Sequence, residues 1–249
     1  MRSVRNLIQS ITVFVPLLFA LYGCSDEMDR QETINKLRSL GVEQTPAVTK
    51  PGDTVNLTFY LAGPSGLSMT ATPLSDDTTR YGKPLIVTPV DNAPVESTVG
   101  PLSLYSYRAS FTAPSDAVTL ATIQSKEYAR VRYNVKFQTN AGDDESVVGD
   151  ALVYAPSSPK LSWTPPTIAI IKPTANSQAG SVDLEGTITS DGQESNRVAW
   201  FVSAGKIKNR KSRSTLWEEA PSGTQAVFFT VRGAKSGAFA IKSQAINLN

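Results

Sequence analysis

From Lys36 onward, apolar and polar residues alternate in short runs bounded by Gly, Pro, Asn and Asp. A period of two puts one face of the chain in a core and the other in water, which is the signature of a half-buried strand. Thr54–Ala62, Leu104–Ala113, Ala129–Thr139 and Ser146–Tyr154 are predicted strands of this kind. The Gly- and Asp-containing stretch Asn140–Glu145 joins the last two as a hairpin. A second series follows: Thr167–Lys172, Ser181–Thr189, Arg197–Ser203, Gln225–Val231 and Ala238–Ala245. Between the series, Ala155–Pro166 is rich in proline and serine and predicts a short, semi-rigid domain boundary. An offset of 127 residues aligns Pro46 with Pro173, Val55 with Val182 and Leu57 with Leu184. The chain is therefore expected to be all-β, with two copies of one β-sandwich type over residues 36–157 and 158–249 rather than one large barrel.

Two sets of about seven short strands, with turns every 8–12 residues, resemble tandem immunoglobulin-like domains. Arg197–Val202 places Trp200 in a mid-domain strand, similar to the core tryptophan of such modules. The cysteines that usually flank it are missing, and Val182, Leu184, Phe229 and Val231 stand on the strands that would carry them. Tyr133, two residues before Val135, is a candidate for a tyrosine corner. Leu37–Ala62, centred on Pro-Gly-Asp-Thr-Val-Asn-Leu, resembles the opening strands of modules in bacterial envelope lipoproteins. That resemblance implies fold and location and carries no activity.

The N-terminus has a different pattern. Arg2 and Arg5 precede the apolar stretch Ile11–Leu21, which is interrupted only by Thr12. It is shorter than the roughly 20 apolar residues that span a bilayer, Pro16 disfavours a continuous helix, and it fits a secretory signal over residues 1–23. Leu21-Tyr22-Gly23-Cys24 then resembles the lipobox of bacterial lipoproteins. The resemblance implies cleavage before Cys24 and acylation of its sulfur and new amine. The alternatives are an ordinary signal followed by a chance cysteine, or an uncleaved anchor. Cys24 is the only cysteine of the chain and sits at the cleavage point, which favours the lipoprotein. Two or three acyl chains give a stable anchor where one does not. Ser25, where retained lipoproteins carry Asp, implies the outer membrane, with the body facing the periplasm or the cell surface. Residues 24–35 read as a polar tether, with the first domain next to the membrane and the second held farther out.

Loss of residues 1–23 removes two of the 24 basic residues and leaves 22 against 22 acidic. Residues 24–157 hold 11 basic and 16 acidic residues, and residues 158–249 hold 11 and 6. This asymmetry suits steering of a partner or contact between the halves; an envelope location argues against nucleic acid. With no histidine and no second cysteine, neither a Ser-His-Asp triad nor a His/Cys zinc site can form. No phosphate-binding glycine loop follows a strand, and no cofactor is indicated. Asp76-Asp77 and Asp143-Asp144-Glu145 are the remaining acidic clusters. They leave calcium binding or carboxylate-based hydrolysis in cell-wall or polysaccharide metabolism as the alternative function. The basic run holding Lys206, Lys208, Arg210, Lys211 and Arg213, with Trp217 beside it, is the candidate partner-binding loop, suited to anionic headgroups, phosphates or an acidic partner. The leading expectation is a lipid-anchored, non-enzymatic binding or structural module whose partner is an envelope protein, a glycan or another cell surface.

Overall fold

The computed structural model describes residues 32–74, 87–116, 128–155, 163–174, 177–192 and 194–249. Among them there is no helix. The first half contributes β1 (Arg38–Thr45), β2 (Thr54–Pro64), β3 (Met69–Leu74), β4 (Thr88–Pro89), β5 (Val95–Val99), β6 (Leu102–Thr112), β7 (Tyr128–Thr139) and β8 (Asp144–Tyr154). The second contributes β9 (Thr167–Lys172), β10 (Gly180–Thr189), β11 (Asn196–Val202), β12 (Lys206–Ile207), β13 (Ser214–Ala220), β14 (Gly223–Gly233) and β15 (Phe239–Leu248). Four antiparallel sheets result: β1-β2-β6-β4 with β5 also on β6, β3-β7-β8, β9-β10-β13-β12 and β11-β14-β15. In the second half the first, second, fourth and fifth strands form one sheet and the third, sixth and seventh the other, the four-plus-three plan of constant-type immunoglobulin sandwiches. The first half follows the same order with one extra short strand: its third, seventh and eighth strands form one sheet and the other five form the second.

Alternation builds the inner cores. In β2, Val55, Leu57, Phe59 and Leu61 are buried and meet the inward face of β6, while Phe59 packs on Phe137 of β7 at 5.7 Å between ring centres. In the second sandwich Trp200 is fully buried and stacks on Phe229 at 4.3 Å. Val182, Leu184 and Val231 complete that contact in the same core, where the expected substitutes for a disulfide belong. Gly186 admits the Phe229 ring, which a β-carbon there would meet at 2.5 Å. The 127-residue offset matches equivalent places: Pro46 and Pro173 each follow the first strand of their half, after cis peptide bonds. Val55 and Val182, like Leu57 and Leu184, are buried on the second strand. The Tyr133 hydroxyl lies against Gly149 on the neighbouring strand; the loop before β7, residues 117–127, lies outside the described residues.

A third apolar layer joins the sandwiches. Ile34, Leu40, Ala62, Val99 and Leu102 of the first half form one buried cluster with Phe201, Ala226 and Phe228 of the second, and Tyr60, Leu104, Ala199 and Ile241 pack against it. Apart from Ile34, which precedes β1, and Val99 on β5, these residues lie on the outward faces of β1-β2-β6 and of β11-β14-β15. The sheets are therefore stacked in four layers with three cores between them. Strand β14 is central to this: Val227, Phe229 and Val231 face its own sandwich, while Ala226 and Phe228 face the other. Backbone bonds clasp the edge of the layer, from Gln44 N–H to Gly237 O (3.0 Å) and from Gly237 N–H to Ala47 O (2.9 Å). The Tyr154 hydroxyl donates to Lys235 O at 2.8 Å.

Two expectations change. Residues 32–35 are not tether: Ile34 is buried, and its N–H donates to Val202 O while Val202 N–H donates to Glu32 O, both at 2.9 Å. The chain therefore enters the folded body on the second sandwich, and chain order does not place the first sandwich nearer the tether. Ser214–Ala220, unassigned by alternation, is a strand; its bulge against β10 puts Glu219 at φ 56° and breaks the period-two signal.

The contact of Gly41 with Phe239 tests the third layer. The Phe239 ring stacks on Tyr60 at 5.6 Å, and a β-carbon at Gly41 would lie 2.2 Å from that ring. Gly41→Val is expected to lower stability by about 1–3 kcal/mol in urea unfolding, and Phe239→Leu in the same chain to restore part of it. An unchanged midpoint for Gly41→Val would show that the ring does not sit on β1.

Candidate functional site

The basic run is an ordered turn. Ile207, its one apolar residue, points into the second core, and the cations on either side face outward. From β12 the chain turns through residues 208–213 into β13, with Lys208 N–H bonded to Leu216 O at 2.9 Å. The Asn209 side chain accepts from Lys211 N–H, a local bond typical of asparagine in turns. Two core tryptophans hold the segment from beneath. The Trp200 indole N–H donates to Ser212 O and the Trp217 indole N–H to Ala204 O, each at 2.8 Å. Gly186 N–H also donates to Arg213 O at 2.9 Å. An indole buried on its apolar side and bonded at its tip is both a core residue and a fastener for the loop above it.

The predicted set is only partly brought together. Lys206 is ion-paired with Glu219. Lys208, Lys211 and Arg213 are exposed, and their side chains make no hydrogen bond or ion pair with another described residue. Arg210 contributes its backbone carbonyl, which accepts from Trp200 N–H at 3.0 Å. Trp217 leaves the set: it is fully buried, because β13 points it inward opposite Val182. Sequence reasoning missed the place where the chain enters. The β11 edge that is not paired with β14 receives Arg210 at Trp200 and Glu32 at Val202. These positions are two residues apart, about 7 Å along a strand. Thr33 adds a hydroxyl bond to Gly205 O at 2.7 Å.

A second feature lies where the sandwiches meet. Ser39, Gly41 and Gln44 of β1, Val147–Asp150 of β8, and Arg232, Ser236 and Gly237 line a cleft of about 120 Å³. Tyr133 reaches it from the first core. Its hydroxyl has no hydrogen-bond partner among the described residues, and burial pushes its pKa up to about 12, with Arg232 opposing and Asp150 reinforcing the shift. Asp150 is itself held by Arg132 at 3.1 Å and Arg130 at 3.8 Å. The cleft thus offers one guanidinium and one phenol hydroxyl beside glycine-lined walls, a setting for waters or a small polar group.

The acidic turn divides among separate partners. Asp144 bonds Lys136 at 2.7 Å, Glu145 accepts from Ser39 N–H at 3.0 Å, and Asp143 O accepts from Thr139 N–H at 2.9 Å. Among the described residues no group of three Asp, Glu, His or Cys side chains is placed to share a cation. Cys24 and Asp76-Asp77 lie outside the described residues.

The two most strongly shifted phenols give a pH dependence. Tyr60 is also raised to about 12, by burial and then by the Glu43 carboxylate to which it donates at 3.0 Å. The folded chain holds both protons more tightly than the unfolded chain. Their contribution is therefore complete below pH 10 and is lost as pH rises toward 12. Urea unfolding between pH 9 and 11.5 should show falling stability, with Tyr133 accounting for roughly 2–3 kcal/mol over the whole range. Tyr133→Phe should make the fall shallower; an identical slope would place the Tyr133 phenol in water.

No protein-family model matches the chain, and no characterised protein matches it in sequence. Among solved structures, the chain is similar to fibronectin(III)-like modules of CbhA from Clostridium thermocellum, at 16% identity and a TM-score of 0.32, covering 84% of this chain and 94% of that one. It is also similar to the neural ectodermal development factor IMP-L2, at 10% identity and a TM-score of 0.22, covering 89% of this chain and 98% of that one. The fold is all-β, built from packed sandwiches.

Proposed function

We propose that the chain is a bacterial lipoprotein, acylated on Cys24, whose folded body is a non-enzymatic binding or structural module of the outer membrane. The observation that supports this most is the pairing of a lipobox with a stiff body that begins eight residues later, at Glu32. A shared apolar core joins the two sandwiches, so the surfaces they present are held as one unit. A body of that kind suits holding a contact at a set distance and orientation from a membrane. It presents two open sheet faces, that of β3-β7-β8 and that of β9-β10-β13-β12, together with the pinned basic turn. Another envelope protein or a glycan is the partner class that fits mixed polar sheet faces. The carboxylates of Asp144 and Glu145 serve the fold through Lys136 and Ser39, and among the described residues no three acidic side chains converge on one point, which favours the binding module over the calcium and hydrolase alternative.

Mass spectrometry of the protein purified from bacterial envelopes tests the anchor. The mature N-terminus is expected at Cys24 with acyl mass attached, and Cys24→Ser should accumulate with residues 1–23 uncleaved. An unmodified Cys24, or normal processing of the serine variant, would contradict the proposal.

A further inference from the structure

We infer that Lys208, Lys211 and Arg213 form a second membrane contact that lies beside the lipid anchor and engages anionic lipid headgroups. This rests on the reading of Cys24 as the acylated residue and adds to it the face that the body turns toward the bilayer. Three observations carry it. First, the chain joins the body where the basic turn sits. Glu32 and Arg210 occupy neighbouring positions on one edge of β11, and Thr33 bonds Gly205, the residue before Lys206. Cys24 precedes Glu32 by eight residues, a covalent reach of at most about 28 Å. An acyl group on Cys24 therefore keeps this corner, more than any distant surface, close to the headgroups.

Second, the charges are available. Lys206 is matched by Glu219, but Lys208, Lys211 and Arg213 are exposed and have no side-chain partner among the described residues. The turn stands on the basic half of the chain, where 11 basic residues face 6 acidic ones. Third, the backbone beneath them is already fixed by the Trp200 and Trp217 indoles and by Gly186. Binding then costs side-chain ordering alone, with little loss of loop entropy. Lipid phosphates match these cations in charge, and Arg213 adds a guanidinium fork suited to phosphate. An acidic protein is the competing occupant, and it has no counterpart to the proximity of the anchor.

The test uses the acylated full chain purified from envelopes and reconstituted in vesicles. Because Cys24 is the only native cysteine and is blocked by acylation, a new cysteine takes a fluorescent donor at one place. Ser214→Cys marks the exposed start of β13, and Ser146→Cys marks the open face of the other sandwich. Acceptor-labelled headgroups report proximity in phosphatidylcholine vesicles with or without 30 mole percent phosphatidylglycerol, a composition set at about the anionic content where surface attraction is strong. Energy transfer is expected to be greater from residue 214 than from residue 146, and to rise with phosphatidylglycerol at 214. Combining Lys208→Gln, Lys211→Gln and Arg213→Gln should remove that rise, at about fivefold in docked population for each cation lost at low salt. Equal transfer at the two sites, or a rise that survives the triple substitution, overturns the inference while leaving the anchor intact. A chain that fails to enter either vesicle removes the anchor reading, and this inference with it.

Discussion

The structure depends on one contact: the outward face of the β1-β2-β6 sheet lies against the outward face of β11-β14-β15. An ordinary antiparallel sandwich keeps its outer faces in water. Here Phe201, Ala226 and Phe228 on one side and Leu40, Ala62 and Leu102 on the other are buried, and removing that area from water draws the two sandwiches together. The approach is close enough to leave no room for a side chain at Gly41 beneath Phe239. The backbone clasp at Gln44, Ala47 and Gly237 fixes the register at the rim. Everything proposed about presentation follows from this layer, because it decides which sheet faces remain open and which corner receives the chain.

Much of the fold was legible in the residues, and the unread part has a physical cause. The inner faces obey period two, so β2, β6, β7 and β8 could be predicted from alternation. Trp200 could be placed in a core strand, with Leu184 and Phe229 on other core strands. The third layer was hidden because its members, such as Tyr60, Ala62 and Leu104, alternate with core residues and fill the positions a solvated face would use. One signal was available: Ala226–Val231 is nearly continuous in apolar residues, which marks a strand buried on both faces. Trp217 was misplaced for a related reason, since a short bulged strand with acidic neighbours resembles a loop. The entry of Glu32–Ile34 on β11 is a long-range backbone pairing, and local pattern carries no information about it.

The basic turn illustrates how core and surface are coupled here. Its cations were evident from the sequence, but its rigidity was not. The two buried indoles that supply both packing and a hydrogen bond also hold the turn in shape. A surface feature held by core residues keeps its geometry without a bound partner. That matters for a protein whose proposed work is to present a fixed surface near a membrane.

Differential scanning calorimetry of the full chain tests the central claim most directly. If the third layer makes the two sandwiches one cooperative body, unfolding will follow a single transition whose calorimetric and van't Hoff enthalpies agree. Two separable transitions, or a calorimetric enthalpy near twice the van't Hoff value, would mean that the sandwiches unfold independently and that the layer between them does not join them.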